Sequence, residues 1–249
     1  MSGHSKWATI KHKKGAQDKA RGKLFAKLIR QVEVAAREGG GDVNSNATLR
    51  TMFGKAREAS VPLDTIERAI KRGTGELEGV RYEPVAYEGY ASGGIALIVE
   101  CLTDNRNRTG ADIRSTFSKN GGAMAEPGSV AWQFDRKGHL EIPKAFGEDE
   151  ITLAALEAGA DDVTDNGENW LITCAPSDLG SVRASIESAG FKVVSAELGL
   201  VASTLISIES ETDARKVLKL IDALEDNDDV QNVFSNFDIS DEILELLEA

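Results

Sequence analysis

Nine cations stand against a single anion in the first thirty residues: Lys6, Lys11, Lys13, Lys14, Lys19, Arg21, Lys23, Lys27 and Arg30 are opposed only by Asp18. Trp7 lies among them. Cations at this density neutralise a phosphodiester backbone and release its counterions, which gives affinity without base preference. An indole in such a segment can stack on an unpaired base, worth about 1–3 kcal/mol. From Lys19 onward the cations are ordered as well as numerous. At about 100° per residue, Lys19, Lys23, Lys27, Arg30 and Arg37 fall within an arc of about 80°, with Leu24, Leu28, Val32, Ala35 and Ala36 centred on the opposite side. The expectation is a helix whose apolar side is buried and whose cationic side faces solvent, open to nucleic acid. On that reading, Lys19, Lys23, Lys27 and Arg30 tolerate reversal to Glu without unfolding the protein.

A second cationic pair, Arg106 and Arg108, lies in Thr103-Asp104-Asn105-Arg106-Asn107-Arg108-Thr109, where a strand-like run passes into a helix. Two guanidinium groups beside the free N–H groups of a helix start suit a phosphate or carboxylate, a secondary anion site. The same arginines can instead be absorbed by Asp104 and Asp112, with Asn105 or Asn107 left as the helix cap. The spacing leaves both readings open.

Other chemistry is missing from the pattern. His4, His12 and His139 are scattered, and no His/Cys/carboxylate set has metal-ligand spacing. There is no Gly-x-Ser-x-Gly elbow. Gly73-Thr74-Gly75-Glu76-Leu77-Glu78-Gly79 follows a helix and reads as a linker, not a phosphate loop. The expectation is a non-enzymatic protein with no catalytic residue, metal or cofactor. Trp132 and Trp170 lie on strand patterns and are expected in cores. Glu225-Asp226-Asn227-Asp228-Asp229 reads as a solvated turn in preference to a calcium loop. Cys101 and Cys174 sit in apolar, strand-like runs and read as reduced core residues of a cytosolic protein.

Taken whole, the chain of 249 residues is acidic, with 29 Lys+Arg, 41 Asp+Glu and a net charge of -12. The charge is segregated: residues 1–81 hold 17 Lys+Arg against 9 Asp+Glu, a net of +8, and the remaining 12 against 32 give -20. Such asymmetry points to a charged partner for the first part. The longest strongly apolar run, Ile95-Ala96-Leu97-Ile98-Val99, is far short of the ~20 residues of a membrane span. No apolar stretch of the signal-peptide type follows the basic start. A cytoplasmic protein with a nucleic-acid partner and no membrane partner is expected; composition and spacing do not bear on oligomeric state.

The elements that must hold these residues follow from periodicity. A helix from Lys19 is stopped by Gly39-Gly40-Gly41, and residues 47–59 give a second, with Asn46 as cap. Asp64-Thr65-Ile66-Glu67 has capping-box spacing for a third, which Gly73 closes. Beyond Gly79 the period becomes that of strands. Residues 82–90, 95–103 and 109–120 read as ββα, too little to close a core alone. Strands over 130–134, 139–142, 162–163, 170–174 and 192–200, with helices over 148–158 and 177–189, read as ββαββαβ. Residues 204–208, 212–224 and 230–237 read as a terminal βαβ that completes the stranded ββα. The expected fold class is α+β and multidomain: an N-terminal three-helix domain, then two ferredoxin-like α+β domains, one inserted in the other. The domains are 1–79, with the basic arm; 80–128 plus 203–249, discontinuous; and 129–202, inserted.

Met1-Ser2-Gly3-His4-Ser5-Lys6-Trp7, Lys11-His12-Lys13-Lys14, Lys23-Leu24-Phe25-Ala26-Lys27-Leu28-Ile29-Arg30, the helix over 64–75 and residues 102–109 together resemble the YebC/PmpR family, which includes mitochondrial translational activators of cytochrome oxidase. The resemblance runs nearly the whole chain and departs at Ala91-Ser92, where the family has Gly-Pro, and over residues 123–127. It implies three domains, the first helical and the others α+β, with a cleft between them. It also implies a cytoplasmic, DNA-binding transcriptional regulator. The alternative it implies is a ribosome-associated translation factor that binds ribosomal RNA and relieves stalling at proline-rich sequences. A basic arm meets DNA and ribosomal RNA through the same phosphates, so both stay open.

Overall fold

The structure, a computed structural model, describes residues 17–167 and 169–248. Helices α1 (Gln17–Gly39), α2 (Ala47–Glu58) and α3 (Leu63–Thr74) form an N-terminal bundle. Its core joins Leu28, Val32, Ala35 and Ala36 of α1 to Leu49, Ala56, Ile66 and Ala69. Asn46 caps α2 as expected, its Oδ1 accepting from Leu49 N at 3.0 Å. Its amide also donates to the Ala35 and Gly40 carbonyls, both at 2.8 Å, so one side chain ends α1 and starts α2.

The third helix departs from the capping-box expectation. Its N-cap is Pro62, which makes no side-chain cap, and its carbonyl accepts from Thr65 and Ile66. Proline's fixed φ supplies the helix entry two residues before the expected Asp64 cap and moves Asp64 into the first turn, where its charge suits the helix dipole. Nor does Gly73 close the helix; Gly75 does, with φ 84. Gly73 lies at the crossing with α1, where a Cβ would come 2.4 Å from the Glu33 carbonyl and 2.8 Å from Ala36 Cβ.

After the bundle the chain runs β1 (Glu83–Tyr90), β2 (Ala96–Thr103), α4 (Arg106–Lys119) and β3 (Ala123–Met124). It continues through β4 (Phe134–Pro143), α5 (Glu148–Glu157), β5 (Asp162–Asn166), β6 (Asn169–Cys174), α6 (Leu179–Ser188) and β7 (Ser195–Ala202). It ends with β8 (Ile206–Ile208), α7 (Glu211–Glu225), β9 (Val230–Ser235), β10 (Phe237–Ile239) and α8 (Asp241–Glu248). One sheet has the order β3-β1-β2-β9 and the other β5-β6-β4-β7. The second sheet is antiparallel throughout and ferredoxin-like, and it is made wholly from chain lying between β3 and β9. The fold is therefore α+β, a helical unit followed by two sheet units with one inserted in the other.

Three expectations about strands change. Residues 130–142 hold one strand, β4, preceded by a 3-10 turn at Ala131–Gln133. Gly138 is not a break: a Cβ there would lie 2.7 Å from Cys174 Sγ, so the glycine permits close packing inside the strand. Trp132 consequently escapes the strand alternation and is 76% exposed, whereas Trp170 is in the core. The run 230–237 breaks at buried Asn236, whose Oδ1 accepts from Ala96 N at 2.8 Å and whose amide donates to Gln133 Oε1 at 3.0 Å. β9 stays with β2, while β10 leaves to pair in parallel with β8. The terminal segment thus adds one strand to the first sheet, not two. Helix α8, which periodicity did not reveal, closes that core with Ile243, Leu244 and Leu247. Both cysteines are buried and free, and burial pushes the Cys101 thiol up to about 12.

Replacing Gly73 by Ala should separate α1 from α3 at a cost of about 1–3 kcal/mol, as overpacking does. Urea denaturation would read this as a lower midpoint at unchanged slope; an unchanged midpoint would mean that the glycine does not set the approach of the two helices.

Candidate nucleic-acid interface

Lys6, Trp7, Lys11, Lys13 and Lys14 lie outside the described residues, and Lys19 is placed in α1 by its backbone alone. Arg21 is exposed, its guanidinium 5.4 Å from the Phe25 ring centroid. The remaining members of the stripe do not face open solvent. Lys23 Nζ donates to Asp226 Oδ1 at 2.7 Å and to the Asp226 carbonyl at 3.0 Å. Lys27 Nζ donates to the Glu225 carbonyl at 3.0 Å. Arg30 donates to the Asp228 carbonyl at 2.7 Å, to Asp229 Oδ1 at 2.8 Å and to the Leu102 carbonyl at 3.3 Å, with its guanidinium 5.1 Å from the Tyr82 ring centroid. The acidic run read as a solvated turn is the surface on which α1 is seated.

The local reason is the end of α7. A helix leaves its last carbonyls without intrahelical partners and carries partial negative charge there. Helix α7 has no basic residue in its last turn. The missing cations come from α1, at the spacing of one helical face.

Asp229 is the centre of the arrangement, 5% exposed. Its Oδ1 meets Arg30, and its Oδ2 lies 2.7 Å from both Arg108 and Thr109 Oγ1. Thr109 Oγ1 is in turn 2.7 Å from Thr103 Oγ1, which accepts from Asn105 N at 2.9 Å. Asn105 caps α4, its side chain accepting from Arg108 N at 3.1 Å. Burial opposes ionisation of Asp229, but the bonds from Arg108, Thr109 and Arg30 outweigh it and hold the carboxyl below its ordinary value.

In the 103–109 segment both arginines lie beside carboxylates. Arg108 is shared by Asp104 at 2.8 Å and Asp229, and Arg106 lies 3.9 Å from Glu83. Asp112 plays no part in these pairs. Sequence reasoning missed Asp229, Thr103, Thr109 and Tyr82 as members of the site. The available signal was complementarity: three cations on one helical face and an acidic run elsewhere in the chain.

Elsewhere the bundle is tied down by Glu33, which is 2% exposed and accepts from Arg37 at 3.1 Å and Arg72 at 2.9 Å. Arg57, Arg68 and Lys71 lie exposed on α2 and α3. Between the bundle and the second sheet runs a cleft of about 790 Å³, lined by Leu24, Met52 and Lys55 on one side and Leu179, Arg183 and Leu198 on the other. Lys55 bridges it to Glu197. Arg106 and Arg108 do not line this cleft. No His/Cys/carboxylate group suited to a metal occurs among the described residues.

Residues 5–76 match the model of the TACO1/YebC protein N-terminal domain, and residues 82–237 that of the TACO1/YebC second and third domain. The chain belongs to the TACO1/YebC family. A family member from Thermobifida fusca, named "Probable transcriptional regulatory protein", is 56% identical over 98% of each chain. One of the same description from Geobacter sulfurreducens is 53% identical over 99% of this chain and all of its own. The crystal structure of a conserved hypothetical protein, Aq1575, from Aquifex aeolicus matches with a TM-score of 0.85 and 45% identity, covering 91% of this chain and 94% of that one. A regulatory role is thus supported at the level of the TACO1/YebC family, and no helix among the described residues is long and apolar enough to cross a membrane.

Asp229→Ala removes the buried carboxylate shared by Arg30, Arg108 and Thr109 while Arg108 keeps Asp104, and should cost about 1–3 kcal/mol, as leaving buried hydrogen-bond partners unsatisfied does. Lys23→Ala, at an exposed pair, should stay within about 1 kcal/mol. Because folding lowers the Asp229 pKa, its contribution is complete above the unfolded value of about 3.9 and is lost as pH falls through the folded one. Chemical denaturation across pH 2–6, an acid range spanning those values, should show a smaller acid-side slope for Asp229→Asn than for the wild type. Equal slopes would mean that the carboxylate is not held as described.

Proposed function

We propose that this protein is a non-enzymatic regulator of gene expression that holds nucleic acid through its basic leading end, in the first instance a DNA-binding transcriptional regulator. The observation that carries the reading is charge segregation, +8 over residues 1–81 against -20 over the rest. The binding residues are Lys6, Trp7, Lys11, Lys13 and Lys14 of the arm, together with Lys19, Arg21, Lys23, Lys27 and Arg30. We assign the units as 1–79, 80–128 with 203–249, and 129–202. Arg106 and Arg108 are assigned as a secondary anion site, where phosphate would compete with Glu83, Asp104 and Asp229.

One observation favours a second reading, a ribosome-associated translation factor acting on ribosomal RNA. A helix that reads DNA sequence must enter the major groove. The cationic face of α1 is committed to the Glu225–Asp229 turn, so contact made by the arm is backbone contact, equally suited to RNA. Sedimentation with ribosomes, with and without nuclease treatment, separates the two: a nuclease-sensitive ribosomal fraction supports the second, and absence from ribosomes under stalling conditions removes it.

Affinity of the full chain for a labelled duplex or single strand should fall steeply with salt. Replacing Lys6, Lys11, Lys13 and Lys14 by Ala should reduce the log–log salt slope by about three to four, at roughly 0.7–0.9 for each phosphate no longer neutralised. Fluorescence anisotropy between 50 and 200 mM salt, a range over which such contacts respond strongly, measures it. Salt-independent binding, or an unchanged slope in the variant, would refute the assignment.

A further inference from the structure

We propose that the Glu225–Asp229 turn is a tethered competitor of nucleic acid: it occupies the phosphate-binding face of α1, and a bound phosphodiester backbone displaces it, releasing the helical bundle from the sheets. The inference rests on the regulator reading above and adds its control.

Four features of the contact carry it. The turn presents to α1 what a nucleic-acid backbone presents, a row of oxygen acceptors with negative charge. Lys23, Lys27 and Arg30 each bind a carbonyl of the turn, and Lys23 and Arg30 each bind a carboxylate in addition. Phosphate oxygens can take every one of those positions.

The contact is also separable. The bundle core is made of residues between Phe25 and Ile70 alone, and the other apolar cores draw on residues from Val85 onward. The hydrogen bonds and ion pairs of Lys23, Lys27, Arg30 and Lys55 cross from bundle to sheets, and a cleft of about 790 Å³ lies along that boundary. Polar contacts of this kind exchange for other polar contacts; a shared apolar core does not.

Release leaves no charge stranded. When Arg30 departs, Asp229 keeps Arg108 at 2.7 Å and Thr109 at 2.7 Å, both from its own sheet unit. A buried carboxylate losing its only cation would oppose opening strongly. This one has a second cation within its own unit. Finally, the outermost pair is open to competition: the Asp226 side chain is 76% exposed, against 7% for that of Asp229, so salt and phosphate reach this end of the contact most readily.

The test uses the full chain with Glu225→Gln, Asp226→Asn and Asp228→Asn combined, leaving Asp229 in place. A control variant carries Glu148→Gln, Asp149→Asn and Glu150→Gln, which makes the same change of net charge at exposed residues of α5. Anisotropy titration with a labelled duplex and a labelled single-stranded RNA at fixed salt should show at least about tenfold tighter binding for the turn variant than for the control. A second measurement reads geometry. Donor and acceptor dyes on Arg57→Cys and Glu150→Cys, with the native cysteines buried, should report a change in transfer efficiency on saturation with nucleic acid. The turn variant should already show part of that change without ligand. Equal affinities for turn variant and control, or a transfer efficiency unmoved by saturating nucleic acid, would overturn the competitor while leaving the regulator reading intact. No binding by any of the proteins to either probe would overturn both.

Discussion

A carboxylate that is nearly excluded from water stays charged only with cations and donors around it, and in this protein that requirement joins the helical bundle to the first sheet unit. Asp229 follows the end of α7, begins the approach to β9 and lies against the start of α4. Two arginines reach it, Arg108 from the sheet unit and Arg30 from the bundle. Burial alone disfavours the charged form; charge-assisted hydrogen bonds restore it. The same end of α7 exposes carbonyls that its own sequence does not cap, and Lys23 and Lys27 serve them from outside. These partners seat α1 on the sheets, and among the described residues no apolar core spans bundle and sheets.

That arrangement changes the meaning of the charge segregation. A basic first part and an acidic remainder suggest two bodies kept apart, one binding a polyanion and the other avoiding it. At the contact they are joined, the acidic remainder supplying the counter-surface for part of the basic helix. Helix α1 is used on both sides, with Val32, Ala35 and Ala36 in the bundle core and Lys23, Lys27 and Arg30 on the turn. Glu33 completes the pattern within the bundle, a second buried carboxylate held by two arginines. Such pairs add geometric definition even where their net contribution to stability is small, because a guanidinium fork accepts few orientations.

Local signals predicted local structure well. Asn46 and Asn105 cap the helices they precede because a short amide side chain can reach the N–H groups three residues on, whatever lies further away. The helix periods of α1, α2 and α7 and the apolar run of β2 likewise need nothing beyond their own residues. Where periodicity misled, a distant partner had decided the matter. The strands expected over 130–134 and 139–142 become one where Gly138 packs beside Cys174, and Gly73 reads as a stop until α1 crosses it. Asn236 divides what reads as one strand because Ala96 and Gln133 engage its amide. Trp132 reads as core only if strand alternation is extended into a turn.

From residue types and spacing alone came the helical start, the order of strands and helices after it and the cationic face of α1. Those are properties of neighbours in sequence, and periodicity and charge density record them directly. Which surface the cationic face meets was decided only by the tertiary structure. The partner lies about two hundred residues away, Arg30 to Asp229 spanning 199 positions. Electrostatic complementarity selects a partner by proximity in space, and a one-dimensional pattern of charges carries no distance between the helix that holds the cations and the turn that neutralises them.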